Sequence, residues 1–101
     1  MAGTTYPVTH NQIGVNTKST SAGFTDEIDF ADDLNAVEVF TNGAADAYVT
    51  VDGSAPAAGA NNSWHIPAGA PNGRIIPVKS QGPTVVKVFC AAVIVYGVCR
   101  T

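Results

Sequence analysis

Apolar side chains in this sequence recur at every second position, in short runs that Gly, Pro, Asn or Asp close before they reach helical length. No stretch repeats apolar residues at the spacing of an amphipathic helix over more than two turns. Side chains on a strand point alternately to two faces, so such a chain seals a core only by laying sheets on one another. The expected fold is therefore all-β. Seven or eight short strands in 101 residues fit one compact two-sheet β-sandwich, of Ig-like or jelly-roll kind.

The first twelve residues, 1–12, are polar around Tyr6-Pro7 and read as an extended N-terminal arm or a loosely paired edge strand. Residues 13–101 form the single sandwich domain. Ile13–Thr17 reads as a short strand, and Ser21–Phe30 as a second with Phe24, Ile28 and Phe30 on one side and Glu27 and Asp29 on the other. Asn35–Thr41 and Asp46–Gly53 flank Asn42-Gly43, a local hairpin signal because both residues tolerate positive φ. Alternation places Val37, Val39, Ala47, Val49 and Val51 inward and Glu38, Phe40, Asp46, Tyr48 and Thr50 outward. From Ser54 to Gly73 the chain is rich in Ala, Gly, Pro and Asn, and only Ser63–Ile66 interrupts it as a strand. Ile75–Lys79 is an edge strand or bulge because Pro77 lacks an amide hydrogen. Ser80–Pro83 is a turn, and Thr84–Cys90 and Ala92–Cys99 read as central strands covered on both sides.

Charged residues make up 13% of the chain and hydrophobic ones 46%, against a charged share of about 25% in ordinary soluble domains. So neutral an exterior suits oligomerisation, because little repulsion keeps copies apart. The net charge is −3 and the basic residues Lys18, Arg74, Lys79, Lys87 and Arg100 are scattered, so no nucleic-acid partner is expected. Val85–Val98 is too short to span a bilayer and contains Lys87, so no membrane partner is expected. No charged and apolar leader opens the chain, which suits the cytosol.

A search for chemistry returns no catalytic residue, metal ligand or cofactor-binding residue. His10 and His65 lack metal-binding spacing, and no glycine-rich phosphate loop follows a strand. Cys90 and Cys99 read as buried small hydrophobes, with a bridge across a C-terminal hairpin left open. The acidic run Asp26–Asp33 lacks calcium-loop spacing and reads as a solvated strand and turn, since alternation spreads its carboxylates over two faces. Trp64 beside Asn61, Asn62 and His65 is first a packing residue, then an interface anchor, then a sugar platform. The interface candidates are Tyr6, Phe40, Tyr48 and Trp64.

One stretch carries a resemblance. Tyr48-Val49-Thr50-Val51-Asp52-Gly53-Ser54-Ala55-Pro56, then Ile66-Pro67-Ala68-Gly69, Arg74-Ile75-Ile76-Pro77-Val78 and a Gly-Pro-Thr-Val-Val-Lys strand resemble small virion proteins of tailed bacteriophages, among them the capsid decoration or cement proteins. The likeness covers roughly residues 35–101 in turn and strand patterns. It implies a non-enzymatic β-sandwich assembled in host cytoplasm into the virion. Its partners would be the major capsid protein or other virion proteins and further copies of itself, and it would stabilise the phage head. A tail or neck component, or a carbohydrate-binding or host-adhesion module using Trp64, shows the same features. On this reading the arm lies across a neighbour, and its removal leaves the fold intact.

Overall fold

A computed structural model of the chain describes residues 2–69, 73–78 and 82–101. Lys79, Ser80 and Gln81, where the end of one expected strand and the start of the next turn fall, lie outside these residues, as do Met1 and 70–72. Among the described residues nine strands run in chain order: β1 (Ala2–Val8), β2 (Gly14–Ser19), β3 (Thr25–Phe30), β4 (Ala36–Thr41), β5 (Ala47–Thr50), β6 (Trp64–Ile66), β7 (Arg74–Pro77), β8 (Val85–Cys90) and β9 (Val95–Arg100). A five-stranded sheet in the order β1-β3-β8-β5-β6 packs on a four-stranded sheet in the order β2-β9-β4-β7.

The connectivity is that of a long hairpin rolled up on itself. Strand β2 pairs with β9, β3 with β8, β4 with β7 and β5 with β6, all antiparallel, and rolling adds the pairs β4–β9 and β5–β8. Of the two sandwich types expected, this is the jelly roll. In it, strands consecutive in sequence change sheets, β5–β6 apart. The hairpin expected at Asn42-Gly43 is therefore absent: β4 and β5 lie in different sheets, and the turn is a link between them. Gly43 has φ 75°, the Asn42 side chain accepts from the Ala44 amide at 3.2 Å, and the Asn42 amide donates to the Val95 carbonyl at 2.9 Å. The expected C-terminal hairpin is likewise a link, from β8 to β9, so Cys90 and Cys99 sit in different sheets and both are free.

Alternation gives the core where strands are regular. Strands β3, β4 and β8 bury every second residue, and Ile28, Phe30, Val37, Val39, Val49, Val86, Val88, Tyr96 and Val98 meet between the sheets with almost no exposure. Each such aliphatic side chain stabilises the fold by about 1.5–3 kcal/mol relative to exposure. Strand β8 is central as expected but covered fully on one face only; Val85, Lys87 and Phe89 are half-buried. Thr50, expected outward, is buried, because the chain folds back over it and its hydroxyl donates to the Ser54 carbonyl at 2.5 Å. Pro77 sits on the edge strand β7, where no ladder bond is lost.

Residues 2–8 form the edge strand rather than an arm free of the domain. Strand β1 lies parallel to β3 with a register shift between Ala2 and Thr5, and Val8 is buried against Phe30. A Cβ at Gly3 would stand 2.1 Å from Asp26 Oδ1, so only glycine lets the backbone come close enough for the Thr4 amide to donate to that oxygen at 3.0 Å.

Candidate interaction surfaces

The outer face of the four-stranded sheet is built largely of small and apolar residues. Phe40 on β4 stands opposite Gly97 on β9, and its ring lies over that glycine: a Cβ there would approach the ring to 2.3 Å. This cover leaves Tyr96, Gly97 and Val98 buried in succession on β9. Beside the ring is a hollow of about 260 Å³ lined by Ile13, Gly14, Val15, Asn16, Phe40 and Cys99. Ile13 and Ile75 stand exposed at opposite edges, at 69% and 62%. Burial raises the Cys99 thiol pKa, helped by the Glu38 carboxylate 3.9 Å away.

The outer face of the five-stranded sheet is mixed. Tyr48 faces Phe89 across one ladder and His65 across the other, and it stacks on the His65 ring at 5.1 Å between centroids and 10° between planes. His65 Nε2 lies 3.4 Å from Asp46. The Ala68 amide, bonding to Asp46 at 2.6 Å, holds that carboxyl below its usual range. Further along, Glu27 faces Lys87 with 3.7 Å between charged groups, and Asp29 follows on the same face.

Asp29 has its carboxyl pKa pushed up to about 6, by burial first and by Glu27 second. The neighbouring Glu27 carboxyl disfavours a second negative charge beside it, and among the described residues Asp29 Oδ1 is buried without a hydrogen-bond partner. A folded-state pKa above the unfolded value of 3.8 means that the contribution of Asp29 is full below pH 4 and is lost as pH rises through 6. Asp32, Asp46 and Asp52 have lowered pKa values, so their contributions fade only below pH 4. The windows do not overlap. Asp29→Asn should therefore raise the urea midpoint at pH 7.5 and flatten its change between pH 4 and 7; a variant that keeps the wild-type profile contradicts the assignment.

Tyr6 and Trp64 are seals at the sandwich edges. Tyr6 faces inward beside Ile28, half-buried against the core, with the Lys18 ammonium 4.9 Å from its ring centroid. Trp64 pairs with Val49, packs on the core and carries the Arg74 guanidinium 5.0 Å over its ring, while Arg74 donates to the His65 carbonyl at 2.7 Å. Asn62 donates to Ser54 and Ala55. One Trp64 face and the Asn62 amide are thus engaged within the chain. The four interface candidates do not converge: Phe40 and Tyr48 lie on opposite outer faces, Tyr6 and Trp64 at edges.

The acidic run divides into separate structural roles. Asp26 is buried, contrary to the solvated reading, and accepts from the Tyr96 hydroxyl at 2.8 Å. Asp32 bonds to Arg100 and His10, and Arg100 also donates to the Gln12 and Thr9 carbonyls at 2.9 and 3.0 Å. That fan of bonds pins the turn after β1 to the last strand. Among the described residues, no three His, Cys, Asp or Glu side chains group to hold a metal ion. No family model, no curated protein and no solved structure matches the chain.

Proposed function

We propose that this chain is a non-enzymatic structural subunit of a phage virion, of the capsid decoration type, which binds the head in many copies and stabilises it. The observation that carries the reading is the placement of Phe40 and Tyr48 on opposite outer faces of one thin sandwich. A subunit with contact residues on two opposite sides can touch a neighbouring copy and the shell at once. The sparse charge of the Phe40 face makes that contact cheap to desolvate, the Tyr48 face adds polar and charged groups, and many modest contacts add through avidity. The jelly roll recurs in viral capsid and lectin domains, which supports the reading by analogy of fold alone. The glycan alternative is the weaker, because Arg74 covers one face of Trp64 and Asn62 is bound within its own loop.

The test is uptake by purified heads of the phage that encodes the chain. Heads lacking the protein should bind it saturably, at regular positions in electron-microscopic reconstructions, and should resist heat better once bound. Purified virions whose mass spectra contain no trace of the chain would end the proposal.

A further inference from the structure

We propose that the outer face of the four-stranded sheet docks a second copy of this chain, face to face about a twofold axis. The inference deepens the structural-subunit reading and rests on it for its purpose, although it is tested on the isolated protein. One cross-strand row carries it. Gly14, Cys99, Glu38 and Ile75 stand side by side across β2, β9, β4 and β7. Bulk therefore rises from the absent side chain of Gly14 to an isoleucine 62% exposed. A twofold contact requires one patch to be complementary to itself. With the axis between β9 and β4, the row of one copy lies reversed over that of the other. Each Ile75 then falls over the partner's Gly14, where the hollow of about 260 Å³ opens. Each Glu38 falls over a cysteine and not over its own like charge.

Other occupants fit less well. The hollow is smaller than the roughly 300–1,000 Å³ of small-molecule pockets, and it suits a side chain. Glu38 is the one charged residue in the row, and the neighbouring pairs Phe40–Gly97 and Ala36–Pro77 are apolar, so a strongly charged partner finds no complement. Strand addition at the edges is poorly served. Strand β7 is four residues long and ends on Pro77, and β2 shifts register between Val15 and Lys18 with Thr17 at φ 54°. Of the four-stranded sheet, the face is what remains.

Its size sets the strength. Four strands about 4.8 Å apart and some six residues long at ~3.4 Å each give a footprint of about 400 Å². A stable interface needs about 800 Å² per partner. The pair is therefore weak in dilute solution and fills at high local concentration, the situation of subunits arrayed on a shell.

Sedimentation equilibrium of the full chain from micromolar to millimolar concentration tests this. The weight-average mass should climb from 10.3 kDa towards twice that value, and Ile75→Asp should hold the chain monomeric throughout. Ile13→Asp, also at an exposed position, provides a second variant should the first fail to fold. Cys90 is buried at 1% exposure, so maleimide labelling of the native protein reads Cys99, and its rate should fall several-fold as the dimer fills. A chain that stays monomeric at millimolar concentration overturns the proposal. So does a dimer that persists in both variants while Cys99 reacts at an undiminished rate. A monomer that still decorates heads removes the dimer alone, whereas a dimer that ignores heads removes the virion reading alone.

Discussion

Asp26→Ala should lower the melting temperature by about 15–25 °C, the largest effect expected of any single side chain outside the apolar core. Asp26 is 2% exposed and accepts two bonds, from the Tyr96 hydroxyl at 2.8 Å and from the Thr4 amide at 3.0 Å. Through them β3 holds β9 of the opposite sheet and β1 of its own. Alanine leaves a buried phenol and a backbone amide unpartnered. Leaving a buried donor without its acceptor costs about 1–3 kcal/mol, so the phenol and the amide together lose about 2–6 kcal/mol, and one kcal/mol shifts a domain of this length by about 4–8 °C. Burial and the Asp26 bond together hold the Tyr96 phenol well above its usual range, so it stays a donor throughout the accessible pH range. Tyr96→Phe should be milder, about 1.5–3 kcal/mol, because one charged bond is lost and the Thr4 contact remains. The double variant should then lose clearly less than the sum of the two. Calorimetry that finds Asp26→Ala melting within a few degrees of the parent removes this carboxylate as the tie between the sheets.

The alternation of Val37 and Val39, or of Val86 and Val88, is legible in the sequence because burial on a strand is a local, period-two property. Strand pairing is not local. Asn42-Gly43 says that the chain turns, and nothing within a few residues says whether the next strand rejoins the same sheet. Here the choice is made by β8 and β9, some forty to fifty residues on, which take the neighbouring places in the two sheets. The buried carboxylate is hidden for the same reason: Asp26 and Tyr96 lie 70 positions apart. Among the interface candidates, alternation suffices to send Phe40 and Tyr48 outward. It does not disclose that Lys18 and Arg74 lie over Tyr6 and Trp64 and make them edge seals. Ile75 carried a usable signal: it adjoins Ile76 on a strand marked as an edge by Pro77, so one of the two isoleucines had to face outward. Ile13, just before the strand that starts at Gly14, carried none.

Deleting residues 1–8 should destabilise the domain by about 2–4 kcal/mol, and this separates a strand from an arm. Val8 is 1% exposed, and its burial alone is worth about 1.5–3 kcal/mol. Tyr6 packs on the core, and the Thr4 bond to Asp26 goes with them. Much of this is offset, because a deleted strand no longer has to be ordered. What remains is damage to the residues left behind: Ile28 and Phe30 lose their neighbours across the ladder, and Asp26 loses one of its two donors. With a urea slope of about 1–3 kcal/mol per molar, the midpoint should fall by roughly 1–2 M. An unchanged midpoint would mean that β1 contributes nothing to the fold and is free to lie across a neighbour. If the midpoint falls as expected, a truncated chain that fails to bind heads reports only that the domain is loosened. Contact by this segment is then better probed with Thr5→Lys, at an exposed position of β1 that leaves Val8 and the Thr4 amide in place. Binding lost in that variant at an unaltered melting temperature assigns the contact to the outer side of β1.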